Sequence, residues 1–139
     1  MARDVSGDGG VLLETTKAGN GTKPEPGQIV FVQYTGMLQD GTVFDATREK
    51  PHRREIGFYF ALGDGAVIKG WDVGFLHMSV GESATLTLRY DYAYGERGMP
   101  GSGIPPRATL VFEVELMAAR TMSAKELNEV DAEVERLRG

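Results

Sequence analysis

The chain has 139 residues, 41% of them hydrophobic and 25% charged, with a formal charge of −5. That length holds one domain with room for a tail, and a domain this size buries roughly two-thirds of the surface its unfolded form exposes. The acidic balance speaks against a general nucleic-acid binder, and the absence of cysteine excludes disulfides and thiol chemistry.

Residues 1–10 are small, polar and glycine-rich, which predicts a frayed terminus with its flexible part at 1–8. The opening "MARDVSGDGGVLL" lacks the apolar core of a signal peptide, and no stretch is long enough to span a bilayer. No membrane is therefore expected as a partner, and the cytoplasm is the expected compartment. On that basis the sequon at Asn20 is read as a turn. "VLLETT" (11–16) reads as a strand and "KAGNGTKPEPG" as a loop. In "QIVFVQYTG", Val30, Val32 and Tyr34 share one face at period two. Asp40-Gly41 between two apolar runs predicts a tight hairpin, and its second arm sets Phe44 beside Asp45.

"REKPHRRE" (48–55) carries four basic and two acidic residues and reads as a solvated loop. "FYFAL" resumes a strand with Phe58, Phe60 and Leu62 on one face. Ile68, Trp71, Phe75 and Met78 fall at helical spacing, and Gly81 is placed as the helix stop. "ATLTLRY" alternates with Ala84, Leu86, Leu88 and Tyr90 on one face, and "TLVFEVEL" with Leu110, Phe112, Val114 and Leu116. Strands with one oily face need a cover, and the interior helix carrying Trp71 is the available one. The expected architecture is therefore α+β: a curved antiparallel sheet of five to six strands wrapped around one short helix. Ser123 and Glu126 form a capping box ahead of a stripe of Leu127, Val130, Val134 and Leu137, which predicts a second, C-terminal helix outside the sheet. The expected boundaries are a flexible start at 1–8, a sheet domain at 9–118 and a helical extension at 119–139.

Catalytic acid–base or nucleophile sets are missing. Two histidines, His52 and His77, are too few for an ordinary zinc site, and "GMPGSG" is not followed by a helix pattern as a phosphate loop would be. What remains is aromatic: Tyr34, Phe44, Phe58, Trp71, Tyr94 and Phe112. For a small domain the plain reading of such a set is core. Two features point to a ligand pocket instead. Asp45 puts a carboxylate beside the cluster, where burial without a partner would be costly. Tyr92 and Tyr94 sit in "DYAYGERGMPGSGIPP" (91–106), a loop holding three of the six prolines and four glycines, far longer than a reversal needs.

"VQYTGMLQDGTVFDA", "VIKGWDVGF", "DYAYGERG" and "IPPRATLVFEVEL", in that order, resemble the FKBP-type peptidyl-prolyl cis-trans isomerases over about residues 9–118. "DVSGDGGVLLETTKAGNG" is also similar to the first isomerase domain of the large immunophilins. The resemblance implies the same curved sheet around one helix. It implies a catalytic set of Tyr34, Phe44, Asp45, Trp71, Tyr94 and Phe112, with Phe58, Val67, Ile68 and Ile104 binding substrate or inhibitor. It also implies Trp71 as the floor, Tyr94 hydroxyl and Ile68 N–H as donors to a ligand carbonyl, and Asp45 held by Tyr34. Loop 91–106 would hang over the rim, with Tyr94 at one end and Ile104 at the other. Implied partners are proline-containing peptides and proteins, together with the macrolides tacrolimus and rapamycin; no cofactor or metal is implied.

Three positions depart from the family pattern. Met99 stands where many members have histidine, the loop around it is a residue longer, and the Asp45–Phe58 stretch is longer by about four residues. The family arginine of that stretch matches Arg48, Arg53 or Arg54, with no choice among them. The rival reading is an FKBP fold used as a binding scaffold, and the terminal helix (123–138) is a candidate for a protein partner or self-association. Because the chain ends inside helical sequence, a longer parent protein is left open.

Overall fold

The computed structural model describes residues 1–138. Seven strands form one antiparallel sheet: β1 (Arg3–Asp4), β2 (Val11–Lys17), β3 (Ile29–Leu38), β4 (Val43–Ala46), β5 (Phe58–Ala61), β6 (Ser83–Leu88) and β7 (Leu110–Arg120). Their order is β1-β2-β6-β7-β3-β4, with β5 also pairing β3. The two helices are α1 (Lys69–Phe75) and α2 (Ala124–Arg138). The expected sheet around one helix is thus present, extended by a two-residue strand at one edge.

That strand corrects the frayed terminus. Asp4 accepts the backbone N–H groups of Ser6, Gly7 and Gly9, and Tyr92 Oη donates to Asp8 Oδ2 at 2.8 Å. Tyr92 is buried, with Lys69 Nζ 4.8 Å from its ring centroid. It therefore ties down the N-terminal loop and does not belong to a ligand site.

The alternating strands bury the residues their period assigns. Val30, Val32, Leu86, Leu88, Leu110 and Leu116 are fully enclosed, and each such side chain stabilises the fold by about 1.5–3 kcal/mol. β6 ends at Leu88, so Tyr90 opens a 3₁₀ turn (Tyr90–Tyr92) and does not continue the strand face.

Helix α1 is shorter than its apolar spacing predicts. It ends at Phe75, and Met78 reaches the core from the following turn, its N–H bonded to Phe75 O. Gly81 lies beyond the helix, in the approach to β6, at φ 88°. The two glycines inside α1 have a packing reason. A Cβ on Gly70 would lie 2.6 Å from Leu88 Cδ1, and one on Gly74 would lie 2.9 Å from Leu86 Cδ2. Absent side chains let the helix press directly onto β6, against their cost in helix propensity.

The expected loop 48–55 is built as two 3₁₀ turns, Thr47–Glu49 and Pro51–Arg53. Buried Gln33 holds it by donating Nε2 to the carbonyls of Arg53 and Arg54 at 3.1 and 2.9 Å. Helix α2 begins with the expected capping box: Ser123 N–H to Glu126 Oε1 at 3.0 Å, and Glu126 N–H to Ser123 Oγ at 3.1 Å. It then lies back against the second 3₁₀ turn with Val134 buried, and Tyr59 Oη donates to Asp131. Phe58 and Phe60 face α1 while Tyr59 faces α2. The two helices therefore sit on opposite faces of β5.

Candidate functional site

Between α1, the ends of β3 to β5 and the loop after β6 lies an open concavity of about 420 Å³, a size ordinary for small-ligand sites. Its walls are Tyr34, Phe44, Asp45, Phe58, Val67, Ile68, Trp71, Tyr94 and Phe112, with Gly65 and Ala66. Nine of the ten residues singled out in the sequence are brought together here. The tenth is not: Ile104 is buried in the core, and its backbone pairs with Met99 at the loop base. One end of loop 91–106 thus supplies the wall through Tyr94, while the other end fills the core beneath.

The rings are set by backbone devices. A bulge between β3 and β4 follows the Gly36–Asp45 pairing, and bulges re-aim side chains. Gly36 pairs with Phe112 across β7, and a Cβ there would fall 2.7 Å from Phe44 Cζ and 2.8 Å from Phe112 Cε1. Only a glycine lets both rings enter. Trp71, on the first turn of α1, packs edge-on against Tyr34, Phe112 and Phe58, with centroid separations of 4.8, 5.3 and 6.0 Å. Such pairs add about 0.5–1.5 kcal/mol each beyond the area they bury. The Trp71 indole N–H has no hydrogen-bond partner among the described residues, which shows how apolar the floor is.

Loop 62–68 supplies the remaining wall. Asp72 of α1 holds it, accepting from Gly63 N–H at 2.8 Å and Gly65 N–H at 3.0 Å. The sequence alone did not single out Asp72. At the rim, Tyr34 Oη donates to Asp45 Oδ2 at 2.5 Å, and Lys50 Nζ donates to Asp45 Oδ1 at 2.5 Å. Burial pulls the Asp45 carboxyl upward, but the bonds from Lys50 and Tyr34 outweigh it and hold it below the usual carboxylate range. Burial, then the bond to Asp45, pushes the Tyr34 phenol up. The Tyr94 phenol is also raised, by burial and then by the Asp45 charge.

Lys50 is the partner that sequence reasoning missed. The three arginines that could match the family arginine of this stretch do not reach Asp45: Arg48 pairs with Glu115, Arg53 lies over the Phe58 and Tyr59 rings, and Arg54 donates to the Arg48 carbonyl. The hydroxyl of Tyr94 and the N–H of Ile68 make no hydrogen bond among the described residues, and both border the concavity. Chemically the site offers an aromatic enclosure, two donors and one fully engaged carboxylate. Among the described residues no three His, Asp or Glu side chains form a metal-binding group.

An antiparallel sheet curved over a single short helix, with an aromatic cup between them, defines a prolyl isomerase of the FKBP class. A family model described as FKBP-type peptidyl-prolyl cis-trans isomerase matches residues 20–117. The chain belongs to that family and is a peptidyl-prolyl cis-trans isomerase of the FKBP type. It is 50% identical over 109 residues to "FK506-binding protein 1A" of Emericella nidulans, covering 78% of this chain and 96% of that protein. It is 43% identical over 140 residues to "Peptidyl-prolyl cis-trans isomerase FKBP20-1" of Arabidopsis thaliana, covering 98% of this chain and 71% of that protein, so the likeness extends into α2. The crystal structure of a peptidyl-prolyl cis-trans isomerase from Pseudomonas syringae superposes with a TM-score of 0.72 at 33% identity, covering 86% of this chain and 80% of that one.

Proposed function

We propose that the aromatic concavity is where this isomerase turns Xaa-Pro bonds of peptides and proteins, and that tacrolimus and rapamycin compete for it. The observation that carries the reading is the pairing of an apolar enclosure with two uncommitted donors, Tyr94 Oη and Ile68 N–H. The names of the fungal and other relatives as FK506-binding proteins support the macrolide part.

The chemistry needs no nucleophile. Rotation about the bond passes through a twisted amide that has lost its resonance, against a barrier of about 18–20 kcal/mol, and unaided it takes tens to hundreds of seconds. The planar amide has the larger dipole, so moving the bond from water onto Trp71, Phe44, Phe58 and Phe112 disfavours it relative to the twisted form. A donor on the carbonyl of a neighbouring residue fixes the chain so that only the prolyl bond turns. Lowering the barrier by about 4 kcal/mol gives roughly a thousandfold acceleration. Asp45, with both oxygens bonded, holds Tyr34 and polarises the rim; it moves no proton.

The test is exchange NMR on a short Xaa-Pro peptide with and without the protein, followed by addition of rapamycin. Faster exchange that rapamycin abolishes is the expected result. Tight rapamycin binding without acceleration would make the concavity a scaffold for ligands, and acceleration that rapamycin leaves untouched would place catalysis elsewhere.

A further inference from the structure

On the face of the sheet away from α1, a groove of about 540 Å³ runs between α2 and the ends of β3 and β7. Phe31, Ile56, Met117, Met122 and Val130 line it, and each is only partly buried, so the fold leaves a continuous apolar strip open. Both methionines are unbranched and adapt to differently shaped partners. The rim is acidic. Glu126, Glu129 and Glu133 follow one edge of α2 at helical spacing, Glu55 stands across from them, and Arg120 is the one basic residue of the lining.

Two of these carboxylates already have work inside the chain: Glu126 closes the capping box, and Glu133 pairs with Arg136. Glu55 and Glu129 meet no hydrogen-bond donor or cation among the described residues. An apolar strip between uncompensated negative charges is complementary to a segment carrying apolar side chains flanked by lysine or arginine. A like-charged segment would bring its own carboxylates against Glu55 and Glu129, so the pattern selects by sign.

We propose that this groove docks a short, basic, amphipathic segment of another protein, with its apolar side chains on Phe31, Ile56, Met117 and Val130 and its cations facing Glu55 and Glu129. The surface is separate from the aromatic concavity, with which it shares no lining residue. The isomerase would thereby hold a partner by one face while the other stays free to act on its prolines. The docking is independent of the assignment of the concavity; only the action on the partner's prolines rests on that reading.

The probe is an amphipathic helical peptide of about 14 residues, four turns, made of leucine and lysine and lacking proline. Its control keeps the leucines and replaces every lysine by glutamate. Amide chemical shifts of the whole chain are followed during titration. Expected are shifts at Ile56, Met117, Met122 and Val130 with the basic peptide and none with the acidic one. The double variant Glu55→Lys/Glu129→Lys should weaken binding about tenfold or more, because each reversal removes an attraction and adds a repulsion, while exchange catalysis on an Xaa-Pro peptide is unchanged. A measurement that needs no variant is the salt dependence: binding should fall steeply from 50 mM to 500 mM salt, as the screening length shrinks from roughly 14 to 4 Å. Shifts confined to the aromatic concavity, equal binding of both peptides, or binding indifferent to the double variant and to salt would each overturn the proposal. So would a dimer of the free chain buried on this groove.

Discussion

The two faces of β5 are finished by different physics. Phe58 and Phe60 point into an aromatic cluster with Trp71, Phe75 and Phe112, where shape and apolar contact hold the parts. Tyr59, one residue on, points the other way and bonds to Asp131 of α2, beneath a segment held by Gln33 and crossed by arginines. The first face lines an open, largely aromatic concavity that offers two donors. The second joins a few polar anchors to a partly open apolar groove edged by glutamates. The contrast sets the proposed chemistry on one face and the proposed docking on the other. It also predicts unequal responses to mutation.

The largest effect belongs to the concave face. Trp71 is nearly fully buried and touches five aromatic neighbours. Trp71→Ala should cost about 3–5 kcal/mol in denaturant unfolding and abolish exchange catalysis. A stable, active Trp71→Ala protein would mean that the cluster is neither core nor catalytic floor. Phe44 is half-buried and its one aromatic contact is Phe112 at 5.7 Å. Phe44→Ala should therefore lower kcat/KM about tenfold or more, equivalent to roughly 1.4 kcal/mol or above, with a smaller change in unfolding midpoint. An equal loss in both would reduce Phe44 to a packing residue.

On the other face the effects shrink. Tyr59→Phe removes one bond to Asp131 and should cost about 1 kcal/mol or less, visible as faster amide exchange in α2 with catalysis unchanged. A marked fall in kcat/KM would show that the two faces are coupled, Arg53 being the evident link because its guanidinium lies within 5.5 Å of both the Phe58 and Tyr59 centroids.

The smallest response should be to pH. The Asp45 carboxyl is held below its usual range, so its stabilising bonds are complete above the unfolded value of about 4. They are lost only as pH falls through the lower folded value. Tyr34 and Tyr94 are both raised and keep their protons well above neutrality. The rate profile should be flat from about pH 5 to 9, since no group at the concavity titrates between the carboxylate and phenol ranges. A bell-shaped profile within that window would demand a proton transfer that this account does not contain.

How far each part could be read from sequence follows the same division. The alternation of Val30, Val32 and Tyr34, of Leu86 and Leu88, and of Phe112 and Val114 is the physical cause of the curved sheet, so the sheet was legible. The motif resemblance placed nine of the concavity's residues. What the sequence does not reach depends on tertiary contact. The resemblance implies Ile104 at the wall, but "GMPGSGIPP" does not say which side of a loop faces the core, and Ile104 is buried there. Lys50 escaped because four basic residues in "REKPHRRE" carry no periodicity, and only the paired 3₁₀ turns decide which one reaches Asp45. Asp72, hidden in a helix, is defined by loop amides it meets in space. The apolar spacing overruns the helix at Trp71 because Met78 is buried at helical spacing by a turn that is no longer helical. Tyr92 and Tyr94 are two residues apart, yet one anchors the N-terminus and the other borders the cup.

The most direct test of the central claim, that apolar enclosure and fixed donors carry the rate without proton transfer, is kcat/KM for Asp45→Asn beside Phe44→Ala, by exchange NMR on one Xaa-Pro peptide. The account predicts that Asp45→Asn, which still accepts from Tyr34, stays within several-fold of wild type while Phe44→Ala falls further, by about tenfold or more. If Asp45→Asn were folded but inactive and Phe44→Ala retained its rate, the carboxylate would be the catalyst and the account would be wrong.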